Sequence, residues 1–380
     1  MKMKTGEPGH MFRKAELSSP ANGELRCPWK ALNQFPLAAT WSCIVRWITG
    51  GQFTFIVSLP TKLNFRRERA KRCSRMEKGG EAGEYHSKDF EWEFVKNLVE
   101  NDPSLSHHLQ EQHLVDSSSF SSSDSKPWQD FHSRHSSGKF FKERRYLLKE
   151  FPELVLCGEN PKLLEVGCGN GSTVLPLLRG SKNITVYACD CSSEALVRTK
   201  ENINRAIATV DNFHSFTCDF STSAFPNWLA CHHCRRNKHC HHSGKSDDTS
   251  LNEHCIGGVD FVTLIFTLSA VPKERMPRAI KECFAVLKPG GLLLFRDYGL
   301  YDMTMLRSEP EKCIGFREYV RSDGTLSYFF CLDTVKKLFT DAEFIEVELE
   351  NCCVKAVNRR KNKNMYRVWV HGKFQKPFLK

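Results

Sequence analysis

Three closely spaced glycines, Gly167, Gly169 and Gly171, end an apolar run in the stretch Leu163-Leu-Glu-Val-Gly-Cys-Gly-Asn-Gly-Ser172, and carboxylates follow at Asp190 and Asp219. Glycine lets the backbone turn sharply and approach a ligand without a side chain in the way. Asp190 comes 19 residues after Gly171, the distance at which a carboxylate can accept hydrogen bonds from both hydroxyls of a ribose. Asp219 is placed to meet the exocyclic amine of an adenine. The glycines and the first carboxylate would suit a dinucleotide equally well, but a second carboxylate is not something NAD sites usually need. The chemistry these residues offer is the binding of a nucleoside cofactor.

Such groups must be held by strands and helices, and the hydrophobic pattern supplies them. Buried strands are expected at 162–166, 184–189, 213–218 and 259–266, and a helix begins at 172–178. Lys288-Pro-Gly-Gly-Leu-Leu-Leu-Phe295 reads as a turn and a fifth strand. Each carboxylate falls at the carboxyl end of a strand, where open α/β sheets bind their ligands.

This succession resembles the class I S-adenosylmethionine-dependent methyltransferases. Two further stretches, Leu294-Phe-Arg-Asp-Tyr-Gly-Leu-Tyr-Asp302 and Tyr319-Val-Arg-Ser-Asp-Gly-Thr-Leu-Ser-Tyr-Phe-Phe330, are similar to the tRNA 3-methylcytidine methyltransferases. Trp128-Gln-Asp-Phe-His132, Lys139-Phe-Phe-Lys-Glu-Arg144 and Glu150-Phe-Pro-Glu153 resemble that family's amino-terminal segment, which contributes to tRNA binding. The likeness runs from about residue 125 to the end of the chain. It departs at His132, where the family has Tyr, and at a Cys- and His-rich insertion over 228–257.

The resemblance implies an α/β, Rossmann-like, doubly wound and mostly parallel seven-stranded sheet, with an antiparallel carboxyl-terminal strand and a small helical amino-terminal cap. It implies S-adenosyl-L-methionine as cofactor, held by Trp128, His132, Gly167, Asp190, Asp219 and Ile265. Gly169 and Gly171 join them on the loop argument. It implies tRNA as substrate, with N3 of cytosine as nucleophile. That nitrogen has an available lone pair at neutral pH, so positioning and charge management would dominate catalysis. Asp297 is then the expected stabiliser of the methylated cation, and Arg296 the contact to the cytosine carbonyl or a phosphate. Phe266 and Tyr298 would stack on the base. Core packing is the competing reading for these two aromatics, and a structural ion pair for Arg296 and Asp297. Expected phosphate contacts are Lys139, Lys142, Arg144 and Arg145 in the cap, and Arg359, Arg360, Lys361 and Lys363 near the end. Each could instead be a solvated side chain. In this family the choice of tRNA can depend on a protein partner such as an aminoacyl-tRNA synthetase.

Charge is distributed unevenly. Residues 1–75 hold 14 Lys and Arg against 4 Asp and Glu, and residues 351–380 hold 9 against none, so the span between is net acidic although the whole chain carries +11. A basic terminal strip beside an acidic core points to a localised nucleic-acid footprint rather than diffuse phosphate binding. A methyltransferase acting on a small molecule or a protein would keep the loop and both carboxylates and have no use for that strip. A non-catalytic RNA-binding relative would keep the fold without binding the cofactor.

Residues 1–125 read as a poorly ordered extension ending in a serine-rich linker, 126–160 as the helical cap and 161–380 as the catalytic domain, with a terminal antiparallel strand at 366–374. The apolar patch at 37–59 is interrupted by Arg46 and is too broken to span a membrane. Composition turns acidic at Met76, which suggests that translation starts there. Residues 1–75 would then be absent from the native chain, or else serve as an organellar transit peptide. Seventeen cysteines, an odd number scattered through expected strands, argue for reduced thiols and a cytoplasmic or nuclear setting. In the insertion, Cys231-x-x-Cys234 precedes His239, Cys240, His241, His242, His254 and Cys255. Thiolate and imidazole can make a tetrahedral zinc site. The second ligand pair is irregular, however, and the loop is rich in Ser, Asp and Lys, so the segment reads as a surface loop and no metal is assigned.

Overall fold

A computed structural model describes residues 44–47, 53–56, 88–109, 125–135, 142–156, 159–181, 183–208, 210–236, 255–358 and 363–378. The chain divides into two units, Met1–Gly83 and Glu84–Lys380. In the first, β1 (Ile44–Trp47) and β2 (Phe53–Ile56) form an antiparallel pair, Ile44 opposite Ile56 and Trp47 opposite Phe53. Both segments are rich in the β-branched and aromatic residues that favour strands.

The second unit is built on seven strands in the order β11-β12-β7-β6-β3-β4-β5. They are β3 (Lys162–Val166), β4 (Thr185–Asp190), β5 (Phe213–Thr217), β6 (Val259–Ile265), β7 (Leu287–Tyr298), β11 (Ile345–Asn358) and β12 (Lys363–Gln375), while β8 (Cys313–Gly315), β9 (Glu318–Val320) and β10 (Leu326–Tyr328) form a small separate sheet. Pairing is parallel from β7 through β5, while β12 runs antiparallel to both β7 and β11. One reversed strand near the carboxyl end is what the resemblance implies. β11 was not anticipated, although Ile345-Glu-Val-Glu-Leu-Glu alternates with the period of a strand.

The central strands are apolar because helices cover both faces. Leu163, Leu164 and Val166 of β3 are wholly buried, as are Val186, Ala188 and Cys189 of β4. One layer of core gathers Leu164, Val262, Phe295 and Phe339, and the other gathers Leu163, Val186, Phe151 and Leu177. Short helices α3 (Leu147–Glu150) and α4 (Glu153–Leu156) precede β3 and α5 (Val174–Gly180) follows it; helix α6 (Ser193–Ala206) follows β4, and its start is set by the Ser192 side chain, which accepts from the Ala195 amide at 3.2 Å. Chain order reverses between β3 and β6, and this switch point opens the cleft at their carboxyl ends.

The folded part begins earlier than the serine run. Helix α1 (Trp92–Glu100) buries Val95 and Val99 in a third cluster with Leu300, Met305 and Cys353. Trp92 stacks on Tyr301 at 5.7 Å and donates to the Leu300 carbonyl at 3.2 Å. Residues 88–109 are therefore an ordered part of the second unit, where the sequence reading placed a poorly ordered extension. Among the described residues no helix is long and apolar enough to cross a membrane.

Candidate active site

The glycine loop follows β3 and is held from beneath. Gly167, Gly169 and Gly171 have φ of 67°, 55° and 83°, which glycine adopts without penalty. A Cβ on Gly167 would lie 2.4 Å from Cγ2 of Thr267, so the loop also needs that hydrogen for space. Helix α6 secures the other side, with Thr199 Oγ1 donating to the Gly169 carbonyl at 2.8 Å and Asn202 Nδ2 to the Asn170 carbonyl at 3.0 Å. Asp190, at the end of β4, accepts the Gly169 amide at 2.8 Å and the Ser192 amide at 2.9 Å, one on each oxygen. Asp219 uses one oxygen on Ser221, at 3.0 Å from its amide and 2.7 Å from its hydroxyl.

These groups open on one cavity of about 410 Å³, lined by Gly167, Gly169, Asp190, Asp219 and Ile265. Its roof is α2 (Ser125–Arg134), which contributes Trp128, Phe131 and His132. The roof reaches across the cleft, since Arg134 Nη2 donates to the Asp323 carbonyl at 3.2 Å on the far side. Burial holds the His132 imidazole below its usual range despite nearby Asp190, so the ring is neutral at pH 7. Cys168, Cys191 and Cys218 also face the cavity. Burial raises all three thiols, Cys218 to about 11, which keeps them protonated and poorly nucleophilic.

All of the expected cofactor residues meet here except Gly171, whose missing Cβ makes room for Thr199, at 3.0 Å from where it would sit. Phe266 and Tyr298 line the cavity, their rings 5.1 Å apart. Phe266 takes φ of 56°, a left-handed conformation unusual for a bulky residue, and its amide is held by the Arg296 carbonyl at 2.7 Å.

Arg296 and Asp297 are not cavity residues. The Arg296 guanidinium is buried against the carboxylate of Glu150, which also meets Nδ1 of His371 at 2.9 Å, and it lies 4.5 Å from the Trp369 ring centre. Asp297 is wholly buried, and accepts from the Ser269 amide at 2.9 Å and the Tyr298 amide at 2.8 Å. It thereby shapes the turn Leu268–Ala270 that borders the cavity. Burial pushes its carboxyl up to about 6. Arg296 makes a structural ion pair, with Glu150, as the competing reading had it; Asp297 makes none, because two backbone amides take its oxygens.

The expected phosphate contacts also separate. Arg144 turns inward, lines the cavity, and donates to Thr173 Oγ1 at 3.2 Å and the Ile265 carbonyl at 3.4 Å. Lys142 and Arg145 are exposed, Arg145 being paired with Glu143 at 2.7 Å. Lys139, Arg359, Arg360 and Lys361 lie outside the described residues, and of Lys363 only the backbone is described, as the first residue of β12. Sequence reasoning missed Arg198 and Arg321, both on the cavity wall. Arg321 stands 5.6 Å from the Tyr298 ring centre, and its place within the Tyr319–Phe330 motif was the available signal.

A mostly parallel sheet with one reversed strand, a glycine loop at its switch point and carboxylates after the next two strands define a class I S-adenosylmethionine-dependent methyltransferase. The profile of a methyltransferase domain family matches residues 140–349. The chain is 37% identical over 256 residues to the tRNA N(3)-cytidine methyltransferase METTL6 of Rattus norvegicus, covering 66% of this chain and 79% of that protein. It is 34% identical over 262 residues to the Drosophila melanogaster tRNA N(3)-methylcytidine methyltransferase Mettl2, covering 66% and 71%, and 33% identical over 320 residues to METTL2 of Danio rerio, covering 74% and 80%. The chain belongs to the tRNA N(3)-cytidine methyltransferase family.

Proposed function

We propose that this protein methylates N3 of a cytosine in tRNA. The observation that supports the reading most directly is the aromatic pair of Phe266 and Tyr298, 5.1 Å apart on the wall of the cavity that also holds Asp190 and Asp219. A flat base can stack there beside the cofactor loop, and the unusual backbone at Phe266 aims its ring into the cleft.

The cavity suits S-adenosylmethionine. Asp190 keeps lone pairs for the ribose hydroxyls after serving the loop, one oxygen of Asp219 is left for an adenine amine, and Trp128, Phe131 and His132 would cover the nucleoside. The bound cofactor supplies an electrophilic methyl on a positively charged sulfur. The protein's part is to hold the cytosine so that its N3 lone pair points along the methyl–sulfur bond. As the nitrogen–carbon bond formed and the methyl–sulfur bond broke, the sulfur would leave as a neutral thioether, the positive charge would pass to the base, and no proton need be removed. The faces of Phe266 and Tyr298 would attract that charge. Arg144 and Arg321 would hold polar or phosphate groups of the substrate, and Arg296 and Asp297 act only by positioning Phe266, Ser269 and Tyr298.

The cytosine must leave its stack to enter such a cleft, which costs least in a single-stranded loop such as the anticodon loop. Lys139, Lys142, Arg145, Arg359, Arg360, Lys361 and Lys363 would meet the surrounding phosphates, and an aminoacyl-tRNA synthetase would be one way of selecting among tRNAs. The test is to incubate the protein with total tRNA and S-adenosylmethionine, digest to nucleosides and measure 3-methylcytidine by mass spectrometry. Product with the native chain and none with Asp190→Ala supports the reading. Cofactor binding without 3-methylcytidine from any tRNA preparation, including one supplemented with cell extract, overturns it.

A further inference from the structure

The insertion that the methyltransferase reading leaves unused converges three thiols. Cys231, Cys234 and Cys255 place their sulfurs within 4.8 Å of one another, with 3.9 Å between Cys231 and Cys234 and 3.9 Å between Cys234 and Cys255. A zinc–sulfur bond of about 2.3 Å makes the edge of a tetrahedron about 3.8 Å long. The two 3.9 Å separations match that edge, and far exceed the roughly 2.05 Å of a disulfide.

The thiols are also held as metal ligands are held. Cys255 Sγ accepts from the Cys231 amide at 3.1 Å and from the Gly257 amide at 3.4 Å. Backbone donors on a sulfur fix its direction. The two stems of the insertion are pinned to each other. The Ile256 amide bonds the Trp228 carbonyl at 2.7 Å, and the Gly258 amide bonds the Leu229 carbonyl at 2.9 Å. Helix α7 (His232–Arg235) is anchored through Arg235, which pairs with Glu282 at 3.1 Å and donates to the Phe225 and Ala230 carbonyls at 2.6 and 2.9 Å. Lys162 Nζ donates to the Ile256 carbonyl at 2.6 Å, next in the chain to Cys255.

We propose that Cys231, Cys234 and Cys255 bind a structural zinc ion that clamps the base of the insertion. The ion displaces the three thiol protons, without any change of oxidation state. Soft, thiolate-only donors on a tetrahedral edge select Zn²⁺ over the hard cations. Cys255 precedes the first residue of β6 by four positions, so the site lies at the amino ends of the parallel strands, and the cavity is at their carboxyl ends. The metal is therefore a staple for the insertion and takes no part in methyl transfer.

The test is elemental analysis of the full chain purified under reducing conditions with zinc in the medium. About one zinc per chain is expected, with X-ray absorption showing at least three sulfurs near 2.3 Å. Cys234→Ser and Cys255→Ser should lose most of the zinc, and Cys331→Ser should keep it. Cobalt substituted into the native chain should give the thiolate charge-transfer and intense visible bands of a tetrahedral site, a readout that does not depend on whether the variants fold. Well under one zinc per chain, fewer than three sulfur ligands, or a Cys231–Cys234 disulfide in the reduced preparation would each overturn the proposal.

Discussion

The carboxylate of Asp190 accepts a hydrogen bond of 2.8 Å from the amide of Gly169, which joins the end of β4 to the glycine loop at the end of β3. The same side chain accepts the amide of Ser192, the cap residue of α6, at 2.9 Å. One residue thus shapes the loop and presents acceptors to the cavity it borders.

Replacing Asp190 should therefore damage both roles. Loss of two hydrogen bonds to a charged group, each about 1.5–3 kcal/mol, predicts that Asp190→Ala raises the Kd for S-adenosylmethionine by roughly 100-fold or more. Asp190→Asn keeps the volume but turns one acceptor into a donor that faces a backbone amide, so it should lose nearly as much. Calorimetric titration decides this, and binding by Asp190→Asn within a few-fold of native would refute it.

Phe266 separates ring from backbone. Both Phe266→Ala and Phe266→Gly remove the stacking surface and should lower kcat/KM for tRNA by at least about 10-fold, since base–aromatic stacking is worth about 1–3 kcal/mol. At φ of 56° glycine relieves strain that alanine keeps, so the glycine variant should be the more stable of the two by about 1 kcal/mol. Cofactor affinity should change little in either. Equal denaturation midpoints for the two variants would remove the strain argument.

Glu150 ties the cap to the sheet through Arg296 and His371. Glu150→Ala leaves a buried guanidinium without its carboxylate, which should cost about 3–5 kcal/mol of stability. Because Arg296 is not on the cavity wall, Arg296→Lys should likewise appear as a lowered melting temperature, with the cofactor Kd of the folded protein nearly unchanged. A large rise in KM at native stability would instead put Arg296 in contact with substrate.

Glu165, wholly buried beside the Thr263 hydroxyl, has its carboxyl pushed by burial from 4.5 up to about 7. The folded state then binds the proton more tightly than the unfolded state, and stability falls as pH rises from about 4.5 to about 7. Glu165→Gln should remove that slope and gain on the order of 2–3 kcal/mol relative to native at pH 8. Asp297, raised from 3.8 to about 6, would still contribute below pH 6. Denaturant titrations at pH 5 and pH 8 measure the difference, and identical pH slopes in the two proteins would contradict the assignment.

How far the site was legible depends on the kind of signal each residue carries. Gly167, Asp190 and Asp219 follow from local patterns, because a strand end followed by glycine or carboxylate can only present that group at the edge of the sheet. Trp128, His132 and Ile265 came from the family likeness, and the structure brings Trp128 and His132 over the loop as the roof. Arg296 and Asp297 show the limit. Their position at the end of β7 is correct, but adjacent residues at a strand end point in different directions, and Glu150, 146 positions away, captures the guanidinium. Arg144 errs the other way, turning inward toward Thr173 and the Ile265 carbonyl.

The amino-acid order by itself determined the doubly wound sheet, the cofactor loop and the family, since hydrophobic period, glycine spacing and motif order are properties of neighbouring residues. Which charged groups face the cleft, how α1 docks on Tyr301 and Cys353, and that Cys255 comes to rest 3.9 Å from Cys234 were decided only by the tertiary structure. These are pairings between distant parts of the chain. They depend on which faces the packed layers bury, and burial is set by the whole fold rather than by any local run of residues.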